Sequence, residues 1–345
     1  MMAENNGSYS KSTQDSKEII LGRLTYGKLA FLCIISLALS VVGPLAIFAP
    51  LPMAIAFLMY GKLKTFSIVA FLSITTFVLS MTPNFPKDFA YYGVILIFSS
   101  ILAVSIASIV TNGEHPVKGL LKRGFLIFGC LFALVVLAEL VSSTPLVDQI
   151  EAYVNKGIAE FKTHPTYKEI TQAGGEKAAL IEQALNNPKE ALTEFYRWVF
   201  SAVFVGVFFV LWLTLFMLLR NGVVWKQVHN YQYGLKDLVK FKVPEFFVYI
   251  IVFGLALFLG GEYFGGKTLE VIGGNILYCL GVFYFFQGMG LYLDFLSFVK
   301  ITGILRNVLT IMTIFFAFRI VAIAGLFDLW VNFRKYFKKN EGDIS

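Results

Sequence analysis

Apolar runs alternate with short polar segments along the chain, at roughly residues 29–60, 66–81, 90–111, 122–141, 197–219, 245–261, 269–293 and 305–331. Most approach the ~20 residues that an α-helix needs to cross the hydrocarbon core. In lipid the backbone must bond to itself, and continuous runs of this length do so as helices. The first run is interrupted by "GPLAIFAPLP", where Pro44, Pro50 and Pro52 each remove a backbone donor. Residues 29–60 are therefore either one kinked span or two short helices in a tight hairpin. The predicted fold is all-α, an integral membrane helical bundle of 8 or 9 transmembrane helices with a small helical extramembrane insert.

That insert is residues 142–196, which hold eight Asp and Glu against five Lys. Val147, Ile150, Val154, Ile158 and Phe161 recur at helical spacing, and a second amphipathic stretch follows "AGGE" with Leu180, Ile181, Ala184 and Leu185. Some fifty residues make two or three helices and not an independent enzyme core. It separates a first membrane half, residues 28–141, from a second, residues 197–336. The second half contains a basic and aromatic linker, residues 222–244, in which Trp225, Tyr231, Tyr233 and Phe241 alternate with lysines as in an interfacial helix. Polar ends complete the chain: residues 1–27 read as a flexible cytoplasmic tail without the apolar core of a secretory signal, and residues 337–345 as a polar C-terminal tail.

Composition agrees with the pattern, since 57% of residues are hydrophobic and 15% charged, too few polar groups to coat a soluble globule of 345 residues. The net charge of +7 resides in Lys and Arg at the ends of apolar runs, where it meets anionic headgroups; nucleic acid is not an expected partner, and the bilayer is. With residues 29–60 as a hairpin, the N-terminus, Lys62, Lys64, Lys118, Lys122, Arg123 and the linker share the cytoplasmic side. That nine-span count exports "RKYFKK", residues 334–339, whereas eight spans export the linker instead. Nine spans are the preferred count.

Few motifs survive their context. "GEYFGGKT", Gly261 to Thr268, fits the phosphate-binding pattern G-x-x-x-x-G-K-[ST], but apolar spans flank it in place of the strand and soluble helix that the chemistry requires. A glycine-rich turn is the better reading. His115, His164 and His229 lack second ligands at helical spacing, and Cys33, Cys130 and Cys279 lie far apart in apolar segments. No catalytic residue, metal site or cofactor is expected, and the chain does not read as an enzyme.

Polar residues inside the spans carry more weight, because a charge in hydrocarbon costs at least ~2.5 kcal/mol and faces a cavity or a partner. Gln287, Asp294, Arg319 and Asp328 are the candidates for a substrate site or polar network, with Glu139 a further one near a span end. Gln287 and Asp294 are seven apart and share a helix face; Gly274, Gly281 and Gly288 also repeat at seven, forming an expected helix-packing stripe. The simpler reading makes Gln287 an interhelical hydrogen-bonding group, Arg319 a structural ion-pair partner and the two aspartates headgroup-level residues.

"QGMGLYLDFL" followed by "LRNVLTIMTIFFAFRIVAIAGLFDLWVNFRK" resembles the C-terminal pattern of the YybS-like bacterial membrane proteins, a domain family of unknown function with a QG-containing span and a GLxDxxxxFR ending. Gln287 and Gly288 match the first element; Gly325, Leu326, Asp328, Phe333 and Arg334 match the second. "PLPMAIAFLMYGKLKTF", residues 50–66, resembles that family's beginning, with Lys62 and Lys64 where Arg or His is more usual. The resemblance spans roughly residues 28–336 and implies a multi-pass protein of the bacterial inner membrane; it assigns no catalytic residue. A more distant similarity to vitamin-binding subunits of bacterial importers suggests, by fold analogy alone, small-molecule binding or transport without an ATPase of its own. The alternatives are a membrane scaffold recruiting cell-envelope partners and an intramembrane lipid-modifying enzyme, so a small polar ligand or another membrane protein is the expected partner.

Overall fold

The computed structural model describes residue 22 and residues 24–83, 85–86, 89–264 and 266–338, and every regular element among them is helical. Tyr26 and Gly27, expected in the N-terminal tail, already belong to the first helix, and Phe337 and Lys338 close the last; the remainder of both tails lies outside the described residues. In chain order the helices are α1 (Tyr26–Val41), α2 (Pro50–Tyr60), α3 (Lys62–Ser80), α4 (Phe89–Thr111), α5 (Pro116–Val141), α6 (Leu146–Thr163), α7 (Pro165–Ala173), α8 (Glu176–Asn186), α9 (Pro188–Leu219), α10 (Gly222–His229), α11 (Leu235–Val239), α12 (Phe247–Phe264), α13 (Lys267–Phe298), α14 (Gly303–Phe316), α15 (Phe318–Val331) and α16 (Arg334–Lys338).

Six of the described helical segments are long and apolar enough to cross a membrane, or seven if the bent pair α14–α15 counts as one span. By length and composition alone this count stays below the expected 8 or 9, for local reasons. A 3-10 turn over Gly43–Phe48 and the prolines divide the first run, leaving α1 with 16 residues. The apolar part of α12 ends at Gly261. The last run breaks at Ala317, where the axis turns by 95°.

The chain divides into two compact units. The first comprises residues 1–125, 206–245 and 281–345. Within it α1 and α2 run antiparallel: the Ser36 hydroxyl donates to the Ala49 carbonyl at 2.7 Å, and Cys33 Sγ lies 4.0 Å from Met53 Sδ. This is the hairpin alternative for residues 29–60. Small residues let neighbouring helices close up, and a Cβ on Gly93 of α4 would meet the Thr76 hydroxyl of α3 at 2.5 Å.

The linker folds into this unit, and most of its aromatics are buried in the protein instead of being offered to a headgroup surface. Trp225, Tyr231 and Phe241 are 4%, 1% and 5% exposed. Burial is tolerated because the polar heads find acceptors: the Trp225 indole donates to the Leu218 carbonyl at 2.7 Å, and the Tyr231 hydroxyl to the Glu114 carbonyl at 2.9 Å. His229 Nε2 bonds the Leu58 carbonyl at 2.9 Å. Burial, with Tyr233, Asp237 and Glu114 nearby, pushes the Tyr231 hydroxyl pKa upward. At Glu114 burial acts upward too, but hydrogen bonds from Asn112 and Arg123 and the charges of Arg123 and Lys122 outweigh it and hold the carboxyl below its ordinary value.

These bonds tie His229 to residue 58 and Tyr231 to residue 114, and Arg334 reaches the same linker by donating to the Val239 carbonyl at 3.2 Å. The "RKYFKK" segment thus begins beside the linker, not across the membrane from it, because the break at Ala317 turns the last run back. Single cysteines at Tyr336 and Lys226, both exposed, are expected to react with a membrane-impermeant thiol reagent from the same side. The three native cysteines are replaced for this measurement; labelling from opposite sides would contradict the fold of this corner.

The second unit comprises residues 126–205 and 246–280, and includes α6, α7 and α8 of the insert. Lys162 donates to Asn186 at 3.0 Å and Lys189 pairs with Glu151 at 3.2 Å, which ties the insert's helices together. A polar knot missed by the sequence reading lies here: Asn275 donates to the Arg197 carbonyl at 2.7 Å and accepts from the Ser201 amide at 3.1 Å. It satisfies backbone groups between α9 and α13. Gly261, first residue of "GEYFGGKT", backs onto Glu270, where an added Cβ would come 2.6 Å from the amide nitrogen; the segment is a tight helix-to-helix turn, with Gly265 outside the described residues.

Candidate functional site

Helix α13 carries Gln287 and Asp294 two turns apart on one face. The α15 helix crosses it at two glycines. A Cβ on Gly288 would overlap the Val321 carbonyl oxygen, and one on Gly325 would overlap that of Tyr284. So close a crossing brings Asp328 of α15 over Gln287. Directly after α15 ends, Asn332 adopts the left-handed conformation (φ 49°, ψ 57°), a role Asn tolerates well, and the reversed chain delivers Arg334 to the same place.

The result is a cluster built from four segments. Gln287 is fully buried and uses both ends of its amide: Oε1 accepts from the Val243 amide of the linker at 2.8 Å, and Nε2 donates to Asp328 Oδ2 at 3.4 Å. The other Asp328 oxygen accepts from the Phe333 amide at 2.9 Å, and the residue is 2% exposed. Arg334 donates to the Val239 carbonyl at 3.2 Å and to the Gln287 carbonyl at 3.4 Å. Its Nε lies 3.4 Å from Asp294 and 4.0 Å from Asp328, in hydrogen-bonding geometry with neither. Asp294 is the open edge, its side chain 48% exposed against 1% for Asp328.

Each element of the C-terminal pattern thereby acquires a physical task. In "QGMG" the glutamine holds the linker, Gly288 admits α15, and Gly290 admits the Val239 carbonyl on a different side. In the GLxDxxxxFR ending, Gly325 makes the crossing, Asp328 receives Gln287 and the Phe333 amide, and Arg334 returns to α13. Arg334, outside the candidate set, is the residue on which the cluster converges. Its signal was its place in that ending, obscured by the run of basic residues around it.

The other candidates go elsewhere. Arg319 follows the break at Ala317 and is exposed, as are Phe316 before the break and Ile320 beside it at 84% and 71%, and takes no part in the cluster. Replacing it by leucine is therefore expected to cost no more than about 0.5 kcal/mol of unfolding stability in detergent, and to raise stability where the site faces apolar chains. A loss of several times that size would reveal a buried partner. Glu139 caps locally, accepting from the Leu146 amide at 2.9 Å. The glycine stripe is not one seam: Gly288 meets a backbone, Gly274 meets the Trp198 ring, and Gly281 has nothing within 4 Å. Seven residues advance a straight helix by slightly less than two full turns, and different neighbours cover successive stretches of α13.

No curated protein and no solved structure matches the chain. Residues 29–329 match one family model, described as a predicted membrane protein (DUF2232), and its extent includes Gln287, Asp294 and Asp328 while stopping short of Arg334. The chain, a multi-pass membrane protein, belongs to that family.

Proposed function

We propose that this protein binds a small polar or ionic molecule and moves it across the membrane without an ATPase of its own. One observation carries the reading: a span and a broken helix pair bury Gln287 and Asp328 against Arg334, with half-exposed Asp294 at the rim. Backbone interrupted at membrane depth and ionisable groups inside the bundle are features of substrate and ion pathways. In this reading the chain is a YybS-like protein of the bacterial inner membrane. Eight helices cross, counting the short α1 and α12, and α14–α15 dips in and returns. All basic loops then face the cytoplasm and the insert faces away from it, in accord with the distribution of Lys and Arg.

The test is Gln287→Leu in a deletion strain with a growth phenotype. Complementation is expected to fail while the amount of protein in the membrane stays near wild type; full complementation would sink the proposal. A scaffold that recruits envelope proteins is the second reading, favoured by the closure of Gln287 on both amide ends and by exposed Val147, Ile150 and Tyr153 on α6. Loss of complementation on charging those three positions, with Gln287→Leu tolerated, would select it.

A further inference from the structure

Apart from the Gln287 cluster, the first unit contains a half-open cavity of about 340 Å³ between α2 and the end of α9. Its floor is apolar, formed by Leu51 and Ile55 one turn apart on α2 and by Met217 and Leu218 on α9. Trp225 walls it, and its indole is pinned to the Leu218 carbonyl at 2.7 Å, so the wall keeps its shape. Arg220 and Asn221, both exposed, stand at the mouth. One guanidinium nitrogen of Arg220 donates to Asn307 Oδ1 at 2.6 Å, which orients the group and leaves most of its five donors for another acceptor.

The order of these groups has a direction. Arg220 directly follows the last residue of a 32-residue apolar helix, at the end of the unit where the basic linker begins. Anionic headgroups gather at that level, and Met217 and Leu218 precede Arg220 on the apolar helix, inward from it. A guanidinium binds phosphate through paired hydrogen bonds that an ammonium ion cannot reproduce. A volume near the lower end of the ~300–1,000 Å³ typical of ligand sites suits part of a lipid and not a whole one.

We propose that this cavity is a binding site for an anionic phospholipid of the surrounding bilayer, with the phosphate on Arg220 and Asn221 and the upper part of one acyl chain on Leu51, Ile55, Met217 and Leu218. The site is independent of the transport reading. It ties α2, the end of α9 and, through Asn307, the start of α14 to the charge of the membrane.

Native mass spectrometry of the full chain from mild detergent tests it, with phosphatidylglycerol and phosphatidylcholine supplied at equal concentration. Phosphatidylglycerol adducts are expected to exceed phosphatidylcholine adducts about tenfold, because phosphatidylcholine bears the same phosphate but its quaternary ammonium opposes the charge of Arg220 at the mouth. Arg220→Gln should abolish the preference, and Ile55→Trp, which fills the floor, should abolish retention with the guanidinium in place. Lys226→Gln, an exposed charge on the linker, should leave both unchanged. Asn307→Ala removes the same intramolecular bond as Arg220→Gln and should keep the preference, separating lipid binding from local folding. Equal adducts of the two lipids, preference surviving in Arg220→Gln, or normal retention by Ile55→Trp would each overturn the proposal. So would displacement of the lipid by inorganic phosphate, which has no chain for the floor.

Discussion

Substitution of Gly288 by alanine is expected to destabilise the protein by about 3 kcal/mol, at the upper end of what overpacking costs in a close-packed interior. The added methyl would overlap the Val321 carbonyl oxygen, a backbone atom that cannot rotate aside as a side chain can. The helices α13 and α15 must separate, and with them go the contacts of Gln287 with Asp328. Gly325→Ala should act alike, since its Cβ would overlap the Tyr284 carbonyl oxygen and lie 2.7 Å from the Gly288 amide nitrogen. Gly281→Ala is the control. It has nothing within 4 Å, and in a helix interior alanine is favoured over glycine by up to about 1 kcal/mol, so neutrality or mild stabilisation is expected there. Unfolding titrations in mixed micelles measure all three. Equal losses for Gly281 and Gly288 would mean that helix propensity, not the crossing, decides.

The crossing also separates what was legible in the sequence from what was not. The apolar runs announced helices, because in lipid a long apolar segment has few other ways to satisfy its backbone. The spacing of Gln287 and Asp294 announced a shared face, because helix periodicity is independent of tertiary context. Nothing in "IFFAFRI", residues 314–320, marks the break at Ala317, since no proline or glycine stands there. Only Arg319, an ionisable residue in the middle of an apolar run, hinted that the span was not a simple one. The turn at Asn332 rests on one residue's left-handed backbone, and asparagine occurs in many other settings. Without that turn Arg334 reads as one more basic residue at a membrane surface. The aromatic linker misleads in the same manner: Trp and Tyr suit a headgroup belt and a buried position with a hydrogen-bond acceptor equally well, and tertiary packing selects the second.

Arg334→Met is expected to cost about 3–5 kcal/mol, the range for removing one partner of a buried ion pair. The loss has three sources. Asp328, with its side chain 1% exposed, loses its cation; the Val239 and Gln287 carbonyls lose a donor; Asp294 loses its ion pair. The sources can be separated by combination. Asp294→Asn alone should cost no more than about 1 kcal/mol, because its carboxylate is half in solvent and exposed pairs contribute little. Asp328→Asn in the Arg334→Met background should recover part of the stability, since the buried charge that the arginine compensated is gone. Asp328→Asn on its own should be costly, leaving Arg334 as the buried charge without its inner partner. Lys335→Met, the neighbouring residue in the same basic run, should be nearly neutral. If Arg334→Met and Lys335→Met were equally mild, "RKYFKK" would act only as surface charge. If the double substitution were no more stable than Arg334→Met alone, the penalty would lie in the Val239 and Gln287 carbonyls, and the arginine would serve as a backbone clamp between linker and α13, not as a counter-ion.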